Sequence, residues 1–380
     1  MRPKPASSLG AGVFGASLPG MAVLNTFPFL AGALIDDRKM TAAAAGALLS
    51  LELLASAVAA LTASALARRL PPRPSGLSGC LLFAMGNLAA VQAEGWLLAA
   101  ARLLAGAGGG LALAAAGRAM AMSTAPTKLG ADIAILLAAL GGAVALGAGL
   151  TIDRFGFAGG CLFLAAAALS ATPFVARLPD PGVAIQSGAA GRLDWRVAVP
   201  LLGATGIAFL TGGAVWSYCE RIGLAAGLSA KAVTMAVGST AALGVAGAAA
   251  ARVLASVRPL AVGGAGLLVF GASAAALSAS REPLHYILAL SALSFAFIFV
   301  WPFILGAAVE ADKSGRLASA AYGVQMLAGA LAPLAGGVLI GAGALDRLAA
   351  AALVSGAAAA GGLVVAGRRN RQARLRDHSS

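Results

Sequence analysis

The sequence predicts an all-α integral membrane protein: twelve transmembrane helices in two pseudo-symmetric bundles of six. Three observations carry this. The chain is 60% hydrophobic and 11% charged, against roughly 25% charge in a soluble domain, so it lacks the polar surface to coat a water-soluble globule. Its apolar residues fall into twelve nearly uncharged runs, each of the order of the 20 helical residues needed to cross a hydrocarbon core about 30 Å thick. One long polar break divides the runs six and six.

The first run, Pro5–Ile35, follows Arg2 and Lys4 as a secretory signal would. It is far longer than a signal's apolar core of about 7–15 residues, so it is read as the first span. Met40–Ala67 is the second and ends at Arg68-Arg69. Pro74–Ala93 and Gly95–Gly117 follow, parted by Glu94, then Leu129–Ile152 and Phe155–Ala176, parted by Asp153-Arg154. The break Arg177–Arg196 has the prolines, glycines and mixed charges of a linker. The second six are Val197–Cys219, Ala232–Ala251, Pro259–Ser280, Pro283–Val309, Leu317–Leu345 and Leu348–Gly367. The expected organisation is a bundle over 1–177, a linker over 178–196, a bundle over 197–367 and a basic tail over 368–380. A faint repeat supports two halves: span 5 ends GAGLTIDR (Gly147 to Arg154) and span 11 ends GAGALDR (Gly341 to Arg347). Paired repeats around a midplane site are a common transporter layout.

The net charge of +13 is distributed by side. With the N-terminus inside and the spans alternating, 19 of the 27 Lys and Arg residues fall in cytoplasmic segments and seven in outer ones, with Arg102 inside a span. This is the positive-inside pattern. It places both termini in the cytoplasm and the chain in the inner membrane, and it accounts for the basic charge without a nucleic-acid partner. Cys80, Cys161 and Cys219 form no C-x-x-C pair and are read as packing residues. No metal or cofactor is expected.

Span 4 contains Arg102-Leu-Leu-Ala-Gly106-Ala-Gly108-Gly109-Gly110. An unpaired arginine in hydrocarbon is costly and must face protein or a watery cavity, while glycines at Gly106, Gly108 and Gly110 let a neighbouring helix approach closely. Here the chain resembles the major facilitator superfamily, whose fourth helix carries R-x-x-x-G-x-G. Twelve spans, a central linker and cytoplasmic ends extend the resemblance over the whole chain. It implies a secondary active transporter of a small organic solute, working as a monomer by alternating access and coupled to protons. Other family signatures agree in part. The loop after span 2, Ala65-Leu-Ala-Arg68-Arg69-Leu-Pro71-Pro72-Arg73, keeps the basic residues but lacks the family's aspartate and glycine, which weakens the case for its charge latch. Span 5 reads Gly141-Gly142-Ala143-Val144-Ala145-Leu146-Gly147 without the proline usual in antiporters. Symport is therefore the first reading and drug or metabolite antiport the alternative. A Pro-Gly-Gly string, Pro333-Leu-Ala-Gly336-Gly337, lies in span 11 as a candidate helix-packing element.

Three ionisable residues are candidates for transport and coupling. Arg102 is one. Glu52 is the deepest acidic group; burial in a low dielectric favours a carboxyl's neutral form, which suits proton uptake and release. By helix rise it lies roughly 15 Å below the outer boundary and Arg102 roughly 9 Å, within reach of a shared ion pair. The third, Asp132, is near the cytoplasmic start of span 5, where Arg118 or Arg68 is its expected partner. The resemblance implies a cavity lined by spans 1, 4, 7 and 10, offering Asn25, Phe29, Thr211, Trp216, Ser291, Ser294, Phe295, Phe299 and Trp301. An organic acid paired with Arg102 and an amphipathic drug on the aromatics both stay open. Rival classes have little to stand on: there is no G-x-x-x-x-G-K-[ST] loop for a nucleotide-driven pump. An enzyme is not expected from two histidines and no H-E-x-x-H pair.

Overall fold

The computed structural model describes residues 6–66, 70–121, 126–179, 194–254, 258–312, 316–341 and 345–377. Among these, every regular element is an α-helix. The chain divides into two compact units, Met1–Gln186 and Ser187–Ser380.

The first unit contains α1 (Ala6–Asp36), α2 (Ala42–Ala65), α3 (Pro72–Ala90), α4 (Gly95–Ala121) and α5 (Pro126–Val175). The last of these is two helical arms. Gly156 sits at φ 64°, ψ −157°, a conformation that glycine adopts at little cost and other residues rarely do. The chain turns back there, so that a methyl group on Gly147 would meet the Phe163 ring at 2.7 Å. The two arms are the expected spans 5 and 6. The core of this unit lies where Val13 and Ala16 of α1, Cys80 of α3, Ala112 and Ala115 of α4, and Val175 meet.

One short turn ties the α1–α2, α3–α4 and α5 bends together. Asp37 Oδ2 accepts the Phe157 backbone N–H at 2.6 Å, capping the second arm of α5 where its first amides have no helical partner. Arg38 lies over the Phe157 ring, 5.3 Å from its centroid, and donates to the Ala90 and Val91 carbonyls at the end of α3. Its contact with Glu94 is long, 3.8 Å, and Glu94 is exposed, so that pair adds little.

The second unit contains α6 (Trp195–Ser217), α7 (Cys219–Ala225), α8 (Ala230–Leu254), α9 (Pro259–Ser278), α10 (Pro283–Ala311), α11 (Arg316–Gly341) and α12 (Leu345–Asp377). Two details differ from the sequence reading. Span 7 was expected to run to Cys219, but α6 stops at Ser217 and the short α7 follows, because Tyr218 leaves helical geometry (φ −122°, ψ 15°). Its ring packs on Gly336 and its O–H donates to the Pro333 carbonyl of α11 at 3.2 Å. The basic tail is no separate element as far as Asp377: α12 continues through it, and Arg369 donates to the Arg196 carbonyl at 2.9 Å.

Among the described residues, ten helical stretches are long and apolar enough to cross a membrane. The two arms of α5 count there as one, and α3, with Arg73 and Asn87 in only 19 residues, is not among them. Together they make the expected twelve. Lipid gives apolar side chains no reason to prefer each other, so packing rests on small residues and close backbones. In the second unit Gly271 of α9 and Gly356 of α12 face one another with no room for a side chain on either.

Candidate functional site

The Arg102 motif separates its glycines onto two faces of α4. A methyl group on Gly106 would collide with the Glu52 carbonyl of α2, and one on Gly110 with that of Ser56. Gly108 points the other way, onto Phe83 N and Gly79 O of α3. Gly86 of α3 in turn meets the α4 backbone at Ala101 and Ala105. The motif therefore brings α2 and α3 against opposite faces of α4, and this closeness places their polar side chains within reach of Arg102.

Three residues converge there. Arg102 Nε donates to Glu52 Oε2 at 2.9 Å, and Nη2 donates to the same oxygen. Nη1 donates to Asn87 Oδ1 at 2.9 Å. The Asn87 amide is fixed the right way round because its Nδ2 donates to the Phe83 carbonyl of its own helix, also at 2.9 Å. Glu52 and Arg102 are each 1% exposed and Asn87 is fully buried. Cys161, on the second arm of α5, lies beside the guanidinium. The other carboxylate oxygen, Glu52 Oε1, has no hydrogen-bond partner among the described residues. A buried ion pair is held by mutual need: removing one partner strands the other, at about 3–5 kcal/mol.

The remaining candidates are placed apart from this network. Asn25 donates to the Met21 carbonyl at 2.8 Å and faces Gly141 of α5, where a methyl group would come 3.1 Å from its side-chain oxygen. Phe29 is buried. In the second unit, Thr211 shares a 2.8 Å hydrogen bond with Ser355 of α12, and Ser294 donates to the Leu290 carbonyl of its own helix at 2.9 Å. Phe295 stacks on Phe299 at 5.7 Å, and Phe299 meets Phe303 at 5.2 Å. This ladder runs along the side of α10 that meets Gly247 of α8 and Gly266 of α9. Trp301 lies on another side, edge-on to Phe209 at 5.3 Å, and Phe209 in turn meets Phe297 and Phe270. Trp216 and Ser291 are half-buried. In α11, Pro333 and Gly336 contact Tyr218 and Gly337 is buried. Arg118 donates to the Leu70 carbonyl; the Asp132 side chain and Arg68 lie outside the described residues.

Sequence reasoning missed Asn87 and Cys161. A polar amide in an apolar span was a usable signal for the first; a cysteine among alanines gave none for the second.

Comparison with known proteins assigns the chain. The Major Facilitator Superfamily profile matches residues 12–337. The chain belongs to that superfamily. Among solved structures, a D-xylose-proton symporter is similar over 92% of this chain and 94% of its own, at 14% identity and a TM-score of 0.65. An auto-inhibited POT family peptide transporter is similar over 96% and 97%, at 11% identity and a TM-score of 0.72. At these identities the likeness is one of fold. No curated protein matches the sequence. Membership in the major facilitator superfamily makes this a multi-pass membrane transporter of small molecules and not an enzyme.

Proposed function

We propose that this transporter moves a small organic solute across the inner membrane as a proton-coupled symporter, and that Glu52 takes the proton. One observation carries the reading: the carboxylate is buried, with one oxygen held by Arg102 and the other without a hydrogen-bond partner among the described residues. A proton on Oε1 would leave a neutral acid beside the guanidinium and loosen α2 from α4. Local charge changes of this kind bias a two-state element. Proton use agrees with the name of the similar xylose symporter, and the missing span-5 proline favours symport over antiport.

Arg102 spends its fork on Glu52 and Asn87, so solute recognition is assigned to Asn25, Phe29, Thr211, Trp216, Ser291, Ser294, Phe295, Phe299 and Trp301. Hydroxyls and aromatic rings suit an uncharged, partly apolar solute better than an acid. Asp132 is kept as a second coupling group. Both termini are assigned to the cytoplasm, and the working form to a monomer.

Purified protein in liposomes with an imposed proton gradient, screened over labelled solutes, is the direct test. Glu52→Gln mimics the protonated acid and is expected to exchange solute but lose gradient-driven accumulation. Accumulation at the wild-type level would move coupling away from Glu52. For orientation, single cysteines at Gln186 and Arg371, in a chain whose native cysteines are replaced, should resist impermeant thiol reagents in intact cells. Ready labelling of either would invert the topology.

A further inference from the structure

Asn87 has no assigned role in proton uptake above, yet it is a fully buried amide in a helix whose other buried residues are small or apolar. Its placement has a specific cause. Gly86, the residue before it, brings α3 onto the α4 backbone at Ala101 and Ala105, which sets the amide against Arg102. Its orientation has a cause too: with Nδ2 committed to the Phe83 carbonyl, only the oxygen is left to face the guanidinium. A flipped amide would set donor against donor.

Glu52 and Asn87 therefore grip Arg102 from two helices with acceptors of different kinds. The Glu52 acceptor loses its charge when protonated. The Asn87 acceptor is neutral at every pH. A guanidinium never gives up its own proton in such a setting, so if Glu52 were its only partner, protonation would strand a bare cation. We infer that Asn87 is the positioning residue of the proton site: it holds Arg102 in place while Glu52 changes charge, and so sets the pH at which Glu52 gives way. This rests on the reading of Glu52 as the proton acceptor. The charged and titratable groups acting here are Glu52 of α2, Arg102 of α4 and Cys161 of α5, with Arg38 of the α1–α2 turn next out toward Cys161. The Arg73 and Cys80 side chains of α3 lie farther along that helix and do not act on Glu52 or Arg102; at the site α3 adds the neutral amide.

The test reads the proton site without a known substrate. Full-length protein in lipid nanodiscs is titrated while infrared difference spectra follow the carbonyl band of a protonated carboxylic acid. The Glu52 band is the one that Glu52→Gln removes. Asn87→Asp gives Arg102 a second carboxylate, so Glu52 is expected to protonate more readily, with its midpoint raised by about 1–3 pH units. The double variant Asn87→Asp/Glu52→Gln separates the new carboxyl's own band. Asn87→Leu removes the acceptor at similar volume, leaves Arg102 with Glu52 and the weak acceptor Cys161, and is expected to lower the midpoint. Opposite shifts support the inference; should one variant not fold, the sign of the other decides. Unmoved midpoints, or shifts of one sign in both, overturn it while leaving Glu52 as the proton site. A wild-type protein with no titrating Glu52 band overturns both.

Discussion

The first unit is organised around a charge and the second around rings. Between α2, α3 and α4 the interior holds Glu52, Arg102 and Asn87, joined by hydrogen bonds that fix each group's direction. Between α6, α9 and α10 the second unit gathers the buried Phe209 and Phe270 with the more exposed Phe297 and Trp301, at centroid distances of 5.3 to 6.4 Å and varied tilts. Both regions use glycine to bring helices together: Gly106 and Gly110 against α2 in one, Gly212 against the Phe270 ring in the other. The same means of approach thus serves two kinds of contact. Directional bonds have few alternatives and fail as a set; ring contacts can shift and still fill space.

The sharpest way to break the first side is Arg102→Ala. Transport is expected to stop, and unfolding in mixed micelles should show a loss of about 3–5 kcal/mol, the cost of stranding a buried partner. Adding Glu52→Gln should recover part of that stability and none of the transport. Arg102→Lys should restore little transport, since an ammonium lacks the planar fork that reaches Glu52 and Asn87 together. Normal transport by the alanine variant would reduce the network to a structural pair. A middle effect is expected from Asp37→Ala, which removes a cap from the second arm of α5, for about 1–2 kcal/mol; thermal unfolding of the purified variant measures it, and an unchanged midpoint would make the cap incidental. The smallest effect is expected on the aromatic side. Phe270→Leu roughly conserves volume and should cost less than about 1.5 kcal/mol by the same unfolding measurement. A loss as large as that of Arg102→Ala would erase the contrast between the units.

What the sequence made legible follows the same division. The spans were readable because bilayer thickness imposes one length on every crossing helix, and the turn at Gly156 falls two residues past the break read at Asp153-Arg154, just inside the span expected from Phe155. Glu52 and Arg102 stood out because charge in hydrocarbon demands a partner. Asn87 did not, since an amide among apolar residues has several ways to be satisfied, and only the α3–α4 approach at Gly86 selects one. The end of α6 at Tyr218 was hidden for a related reason. Nothing local to Ser217-Tyr218-Cys219 breaks a helix; the hydroxyl's partner is the Pro333 carbonyl, more than a hundred positions away. On α10, Phe295, Phe299 and Trp301 were read only as members of one cavity set; the structure stacks the first two on each other and sets Trp301 against Phe209 of α6, a division that depends on which helices pack on each side.

The Asp37-Arg38 turn limits how the first unit can move. Three connections at one end, from α1 to α2, from α3 to α4 and across the α5 bend, are bonded through a single pair of residues. Helix ends joined in this way lose their independent degrees of freedom, so a displacement of one is shared by all. Parting the helices at that end would break several bonds at once, whereas bending a helix along its length breaks none of them. Shape change in the unit is thereby directed to its far end and to points where a helix bends most easily, such as α1 at Pro19 and Pro28.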